Sequence, residues 1–128
     1  MSQEAEKFRI FGHEGPYKEC MGLYSEVYTE TRGGVALRSV YKHTRLPVYL
    51  YFHEKDKTWA LSNKIGSSRC WMFASDLAQK PHLIIGPWKY INPNDRKWLL
   101  ESKMKCEPHI ELKDGGNSSR RESMKVQI

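Results

Sequence analysis

The chain has 128 residues, of which 39% are hydrophobic and 28% are charged. This length suits a single domain, and no apolar run approaches the roughly 18 residues of a membrane-spanning helix, so membrane insertion is not expected. The net charge of +6 comes from 21 Lys and Arg against 15 Asp and Glu. Because the two signs are interleaved, the pattern is typical of a solvated surface, with nucleic-acid binding as the alternative interpretation.

Cysteine usage and the first residues indicate an intracellular location, in the cytoplasm or the nucleus. The three cysteines, Cys20, Cys70 and Cys106, are odd in number and far apart, whereas small secreted scaffolds carry a dense and even set. The start "MSQEAEKFRI" is polar and lacks the apolar stretch of a signal peptide.

The first half of the chain reads as short strands separated by turns. Residues 1–6 are polar and are predicted to be disordered. Strands are predicted at 8–11, 23–30, 35–43 and 48–54, where β-branched and aromatic residues concentrate or polar and apolar residues alternate. "GHEGPYKECMG" marks a loop between the first two strands, and "TRGG" marks a turn between the next two.

The stretch "VYLYFHEKDKTWAL" (48–61) predicts a hairpin. Residues 55–57 form its turn, and the chain returns as a strand at 58–63. Alternation places two sets of side chains on opposite faces: Val48, Leu50 and Phe52 on one, and Tyr49, Tyr51 and His53 on the other. Both faces are bulky, so we expect chain or ligand to cover each of them.

The second half continues the same rhythm. We predict a strand at 69–75, one helical turn at 76–80 with Asp76 as its N-cap, strands at 82–85 and 88–91, and a turn at 92–95. Residues 96–107 are ambiguous, and a strand through 98–100 is slightly preferred over a helix. Residues 112–128 contain no aromatic residue and many small polar ones, so we predict a disordered tail there.

Strands recur at roughly 10–12 residues with Gly or Pro turns between them, which favours an antiparallel arrangement over βαβ units. The predicted fold is all-β, or β-rich α+β. It is a single antiparallel meander, sandwich or small barrel of about 7–9 short strands that occupies residues 7–111.

The order of "GLY" (22–24), "VYK" (40–42), "LYF" (50–52) and "WALS" (59–62), followed by Trp88 and Trp98, resembles a small aromatic-rich β module of protist and algal proteins. In that module a Gly-x-Tyr is followed by Pro-Val-Tyr, then Leu-Tyr-Phe or Leu-Tyr-Tyr, then Trp-x-Ile-Ser or Gly. The match covers about residues 8–105, with Ser39 where the pattern has Pro. No activity is agreed for the module, so the resemblance implies a compact interaction domain and assigns no catalytic residue.

Residue types that carry chemistry form no local motif. The closest pair of metal-binding types is Cys106 and His109 in "CEPH", which is short of the four paired ligands of a structural zinc site. Neither a nucleophile elbow nor a phosphate-binding loop occurs. No catalytic residue, metal ligand or cofactor is predicted; a small hydrolase that pairs Cys20 with a histidine is a minor alternative.

Aromatic residues carry the leading hypothesis, which is a non-catalytic binding module for a protein or peptide. Trp59 and Trp71 lie mid-strand and are predicted to be core residues. The candidates for a recognition surface are Tyr24, Tyr49, Tyr51, Trp88 and Trp98, with the two tryptophans also compatible with the core. The alternative is single-stranded nucleic-acid binding through basic and aromatic side chains. The sequence does not set the oligomeric state.

The tail offers one further motif. "RRES" at 120–123 fits the pattern of a basophilic kinase site. Phosphorylation of Ser123 would add nearly two negative charges beside two arginines.

Overall fold

The computed structural model describes residues 5–110. Its regular elements are nine strands and two short 3₁₀ turns: β1 (Lys7–Phe11), turn Lys18–Cys20, β2 (Gly22–Arg32), β3 (Val35–His43), β4 (Tyr49–His53), β5 (Thr58–Ser62), β6 (Met72–Ala74), turn Pro81–Leu83, β7 (Trp88–Ile91), β8 (Trp98–Glu101) and β9 (Lys105–Pro108). The prediction of an all-β antiparallel fold is confirmed.

All nine strands belong to one antiparallel sheet in the order β8-β7-β6-β5-β4-β3-β2-β1-β9. The sheet is therefore a meander whose last strand lies beside the first, and it curls into a half-barrel. Its two edge strands, β8 and β9, are consecutive in the chain. Four residue steps, from Glu101 to Lys105, span at most about 14 Å, so the two edges of the sheet approach each other at that end.

The main core lies on the concave face of the sheet. There, residues that face inward lie opposite one another on neighbouring strands. Tyr24 is opposite both Phe8 and His43, and Leu61 is opposite Met72. Trp59 is fully buried, which confirms its predicted place in the core. Trp71 is half-buried and packs against the edge of the same cluster. Removal of these large side chains from water is the main stabilising contribution to the fold.

Two predicted hairpins are confirmed with their turns. Gly33 and Gly34 join β2 to β3 with φ of +59° and +82°, the positive values that a tight two-residue hairpin turn requires. The turn between β4 and β5 is closed by the Lys57 amide, which donates to the His53 carbonyl at 2.8 Å. The long β2–β3 hairpin also contains two register shifts, so the simple alternation predicted along residues 23–30 does not persist to its end.

The connection between β6 and β7, residues 75–87, runs across the inner face of the sheet. The Trp59 indole N–H and the Arg38 Nε both donate to the Ala78 carbonyl, at 2.9 and 2.8 Å. Farther along, His82 stacks on Phe8 with ring centroids 5.4 Å apart. The connection therefore contacts β5, β3 and β1 and closes one end of the half-barrel.

Two predictions in this connection are wrong. Residues 76–80 form no helical turn, and 82–85 form no strand, because the chain makes the 3₁₀ turn Pro81–Leu83 there. The hydrogen bonds from Trp59 and Arg38 to the Ala78 carbonyl hold this segment against β5 and β3. Asp76 instead accepts the backbone N–H groups of Ala78 and Ile85, both at 2.8 Å, and so fixes the shape of the loop.

The remaining differences concern the ends of the domain. The ambiguous stretch 96–107 contains the predicted strand, β8, and most of β9, which was not predicted. Glu6, assigned from sequence to the terminal segment, exchanges backbone and side-chain hydrogen bonds with Glu26. Ser123 and the predicted tail lie outside the described residues. Within residues 5–110, no helix has the length and apolar character needed to cross a membrane.

Ser39 on β3 is bonded through its side chain to β2. Its hydroxyl donates to Glu26 Oε2 at 2.6 Å and also contacts the Thr29 hydroxyl. The Ser39 hydrogen bond is the main reason that the pKa of Glu26 lies below its usual value.

Candidate functional site

The strand β8 exposes three consecutive large apolar side chains. Trp98, Leu99 and Leu100 are 42%, 38% and 62% exposed. Single exposed apolar residues are ordinary on protein surfaces, but a contiguous group on an edge strand marks a site of association. We call the side of β8 (Trp98–Glu101) that faces away from β7 the open edge.

The backbone of β8 also has hydrogen-bonding groups that face outward. The Asn92 amide donates to the Lys97 carbonyl at 2.7 Å, and the register continues with Ile91 opposite Trp98 and Tyr90 opposite Leu99. Hydrogen-bonded pairs alternate in an antiparallel ladder, so the N–H and C=O groups of Trp98 and Leu100 point away from β7. No strand within residues 5–110 pairs with them.

The opposite edge of the sheet, strand β9, lacks these features. Its residues are Lys105, Cys106, Glu107 and Pro108, and charged residues and proline are the usual protection of an edge strand against pairing. β9 also lies against the 3₁₀ turn Pro81–Leu83. The fold therefore protects one edge and leaves the other available.

Cations surround the open edge. Arg96 and Lys97 precede β8, Lys103 follows it, and Lys89 lies opposite Leu100 on the neighbouring strand; all four are exposed. The one carboxylate within β8, Glu101, is already paired with a histidine. Asp95, in the turn before β8, is also exposed, but the four cations outnumber it and the local field favours an acidic ligand.

The end of β8 is anchored by a buried ion pair between Glu101 and His13. His13 is 4% exposed; its Nδ1 lies 2.5 Å from Glu101 Oε1 and its Nε2 lies 2.6 Å from the Pro16 carbonyl. Both neighbours are acceptors, so only the doubly protonated ring satisfies both contacts. Burial raises the pKa of Glu101, but the His13 contact and the Lys103 amide outweigh it, and the pKa lies below the usual value. The pair fixes β8 to the loop that follows β1.

A cavity of about 520 Å³ lies beside the start of β8. We call it the aromatic–arginine pocket; it is lined by Tyr17, Asn63, Ser68, Arg69, Cys70, Trp71, Ile91, Arg96 and Trp98. Tyr17 and Trp71 are nearly parallel, with ring centroids 5.9 Å apart and 11° between their planes. Trp98 is held edge-on against Phe73 at 4.7 Å. Three rings and two guanidinium groups thus share one concave surface.

The structure separates the five predicted recognition residues. Trp98 is exposed and Tyr49 is half-buried. Tyr24, Tyr51 and Trp88 are 0%, 1% and 4% exposed. The prediction that the two tyrosines lie on an accessible face is wrong, and Trp88 takes its alternative place in the core. Of the five, only Trp98 lines the open edge and the pocket.

The two misassigned tyrosines are buried with their hydroxyls satisfied. The Tyr24 hydroxyl donates to the Cys20 carbonyl at 2.7 Å. The Tyr51 hydroxyl donates to the Ser67 carbonyl at 2.6 Å and contacts the Ser62 hydroxyl. Tyr51 lies in a second, smaller apolar cluster on the outer face of the sheet. The loop between β5 and β6 therefore supplies the cover that the sequence required for that face.

Cysteine and histidine positions do not form the arrangement needed for nucleophilic catalysis by Cys20. This thiol is 3% exposed, and burial, aided by Glu19, raises its pKa to about 11. An activated cysteine shows the opposite shift. His43 is equally occupied: Nε2 contacts the Met21 carbonyl and Nδ1 accepts two backbone amides. Among residues 5–110, no group of three or more His, Cys, Asp or Glu could hold a metal ion.

Several residues of the candidate site were not predicted. Leu99 and Leu100 were assigned only to a strand, and Tyr17, Arg69 and Arg96 lie in loops to which no function was given. The sequence does not indicate that β8 lies at the edge of the sheet, since "WLLE" also suits a central strand. In comparisons with family models, curated proteins and solved structures, nothing matches this chain. The resemblance to the aromatic-rich module stays a prediction.

Proposed function

We propose that this chain is a non-catalytic binding module that accepts an extended segment of a protein or peptide partner as an added strand on the open edge. The observation that carries the proposal is the combination, on β8, of outward-facing backbone groups with three exposed apolar side chains. Added strands take their affinity from main-chain hydrogen bonds and their specificity from alternate side chains.

The register of β8 supports a specific mode of recognition for such a segment. Trp98 and Leu100 face the outer surface, on the side of Phe73, and Leu99 faces inward with Tyr90. Side chains of an added strand alternate in the same way, so apolar residues at alternate positions would pack beside Trp98 and Leu100. The surrounding cations support acidic residues near them. We therefore assign an extended, apolar and acidic segment as the partner.

The cysteines support an intracellular setting in the cytoplasm or the nucleus as part of this proposal. Cys20, Cys70 and Cys106 form no disulfide. Free thiols are the usual state of cysteine in reducing compartments.

The test is a selection of short random peptides, displayed on phage, against three forms of the protein: wild type, Leu100→Pro and Leu100→Ala. Proline removes the outward N–H of Leu100 and places its ring where a partner strand would pair. It leaves the β7–β8 ladder intact, because that N–H is not part of the ladder. Alanine removes the same side chain but keeps the N–H, and is the matched control.

We expect enrichment of peptides that alternate apolar and acidic residues. Loss of one main-chain hydrogen bond removes about 0.5–1.5 kcal/mol, so Leu100→Pro should bind the selected peptides about 2- to 12-fold more weakly than Leu100→Ala. In hydrogen exchange, the Trp98 and Leu100 amides should become protected when peptide binds. Equal binding by the proline and alanine variants would show that the peptides use another surface.

A further inference from the structure

The aromatic–arginine pocket is a second candidate site with a different chemistry. We propose that it binds a nucleobase together with its phosphate, either as a free nucleotide or as one unit of a single-stranded nucleic acid. This ligand goes beyond the peptide proposed for the open edge, and Trp98 is the residue that the two sites share.

Fixed aromatic rings provide the stacking surface. Tyr17 and Trp71 are half-buried, and their near-parallel contact holds each ring in place. Trp98 is 42% exposed, and its edge-on contact with Phe73 fixes its orientation. Every base has a flat face that stacks on such rings, and loss of one stacking ring typically weakens binding by about 5- to 150-fold.

Two guanidinium groups are free to bind a phosphate. Arg69 comes from the β5–β6 loop and Arg96 from the β7–β8 turn, and both are exposed. Within the described chain neither side chain has a hydrogen-bond or ion-pair partner. Arg38 provides a contrast, since it donates to the Leu77 and Ala78 carbonyls and lies over the Phe52 ring. The planar fork of arginine suits phosphate oxygens.

Polar side chains in the pocket favour a nucleotide over other anions that carry an aromatic ring. The Asn63 and Ser68 side chains are exposed, and neither has a partner among residues 5–110. An amide and a hydroxyl both donate and accept, which matches the polar edge of a base. The phenyl ring of a phosphotyrosine has no such edge. The volume of about 520 Å³ lies within the roughly 300–1,000 Å³ of small-molecule pockets.

Backbone geometry points to the same pocket. Three non-glycine residues of the described chain have positive φ, and two of them, Tyr17 at +73° and Arg96 at +63°, line this cavity. This conformation is costly for residues with a side chain, and such residues cluster at ligand sites. The Arg96 amide donates to the Asn92 carbonyl at 2.8 Å, which holds the turn in that shape.

The test is a titration of intrinsic tryptophan fluorescence, since Trp71 and Trp98 line the pocket whereas Trp59 and Trp88 are buried. The probes are adenosine monophosphate, a short single-stranded oligonucleotide, phosphotyrosine and inorganic phosphate. The test variant is Arg69→Gln with Arg96→Gln. The control is Arg9→Gln with Arg45→Gln, two exposed arginines outside the pocket, because both double variants lose the same charge. Thermal midpoints confirm that each variant is folded.

We expect the nucleotide and the oligonucleotide to quench fluorescence, with binding about tenfold weaker or worse in the pocket variant and nearly unchanged in the control. Tighter binding of the oligonucleotide identifies nucleic acid as the source, and the logarithmic salt slope should then fall by about 0.7 for each phosphate that the two arginines hold. Equal affinities identify a free nucleotide. The proposal is overturned if neither nucleotide nor oligonucleotide binds at millimolar concentration. It is also overturned if both double variants lose binding equally, or if phosphotyrosine or phosphate alone binds as well as the nucleotide. Peptide binding to Leu100 variants is unaffected by these outcomes.

Discussion

Gly22 allows a buried histidine to lie against the backbone, and Gly22→Ala should therefore destabilise the fold strongly. Gly22 has φ of +138°, and a Cβ built there would lie 2.9 Å from Nε2 of His43. That nitrogen contacts the Met21 carbonyl at 3.0 Å, and Nδ1 of the same ring accepts the amides of Arg45 and Leu46. His43 is 2% exposed, so the ring has little space into which to move.

Two costs add at this position. A residue with a side chain at this φ costs about 1–3 kcal/mol, and displacement of His43 loses one or two hydrogen bonds at about 0.5–1.5 kcal/mol each. The sum is about 1.5–6 kcal/mol of unfolding free energy. Gly33 is the matched control, because its φ is +59° and no atom lies within 4 Å of its built Cβ. Gly33→Ala bears only the backbone cost of the left-handed region, about 1–2 kcal/mol.

Urea unfolding followed by tryptophan fluorescence measures both variants. For a domain of this size each kcal/mol lowers the melting temperature by about 4 °C, so a thermal scan checks the same order. A double-mutant cycle with His43→Ala isolates the clash, since Gly22→Ala should cost less once the ring is absent. If Gly22→Ala is as stable as Gly33→Ala, or if the cycle shows no coupling, the assigned role of the His43 contact is incorrect.

Three further predictions concern the ion pair, the outer-face cluster and the thiols. His13→Gln should lower stability by about 1–3 kcal/mol in urea unfolding at neutral pH. Because the folded pKa of Glu101 lies below its ordinary 4.5, this carboxylate stabilises the fold above that pH, and its contribution is lost as pH falls through the folded pKa. A pH series in which His13→Gln loses as much stability on acidification as wild type would contradict the pairing. Tyr51→Phe should cost about 1–2 kcal/mol, because the Ser67 carbonyl loses its donor; an unchanged urea midpoint would contradict this. At neutral pH, Cys20 should react with a thiol reagent more slowly in the native protein than in urea, and rapid labelling of native Cys20 would restore the hydrolase hypothesis.

Much of the fold was predictable because its turns are local. Gly33 and Gly34 specify a tight turn through their conformational freedom, and the charged stretch 54–57 cannot continue a half-buried strand. Each hairpin depends on neighbouring residues alone. A chain of such hairpins gives a meander, and the all-β prediction needs no long-range information.

The loop 75–87 and strand β9 were not predictable in this way. The shape of the loop is set by Trp59 and Arg38, which are distant in sequence and take the Ala78 carbonyl. β9 forms because Lys105–Pro108 meets β1, nearly a hundred residues earlier, after the sheet has curled. Tertiary contacts of this range override local propensity.

The recognition residues were misassigned for a related reason. Tyr24 and Tyr51 were predicted to lie on an accessible recognition surface, but a tyrosine can be buried when its hydroxyl has a polar partner. Carbonyls of Cys20 and Ser67 provide those partners inside the structure. Burial of tyrosine costs little when its hydroxyl is bonded. The site residues Arg69 and Arg96, in turn, come from separate loops, and no local pattern joins them.

The contrast between the two edges of the sheet explains why β8 rather than β9 carries the proposed site. A curled sheet that stops short of a closed barrel must leave two edge strands, and each one is a template for unwanted pairing. Lys105, Glu107 and Pro108 protect β9, and the connection 75–87 packs beside it. Trp98, Leu99 and Leu100 leave β8 without such protection. Polar residues at these positions could form the same strand and would lower the risk of unwanted pairing. Under the proposed function, a partner covers the parts of these side chains that the isolated domain leaves in contact with water.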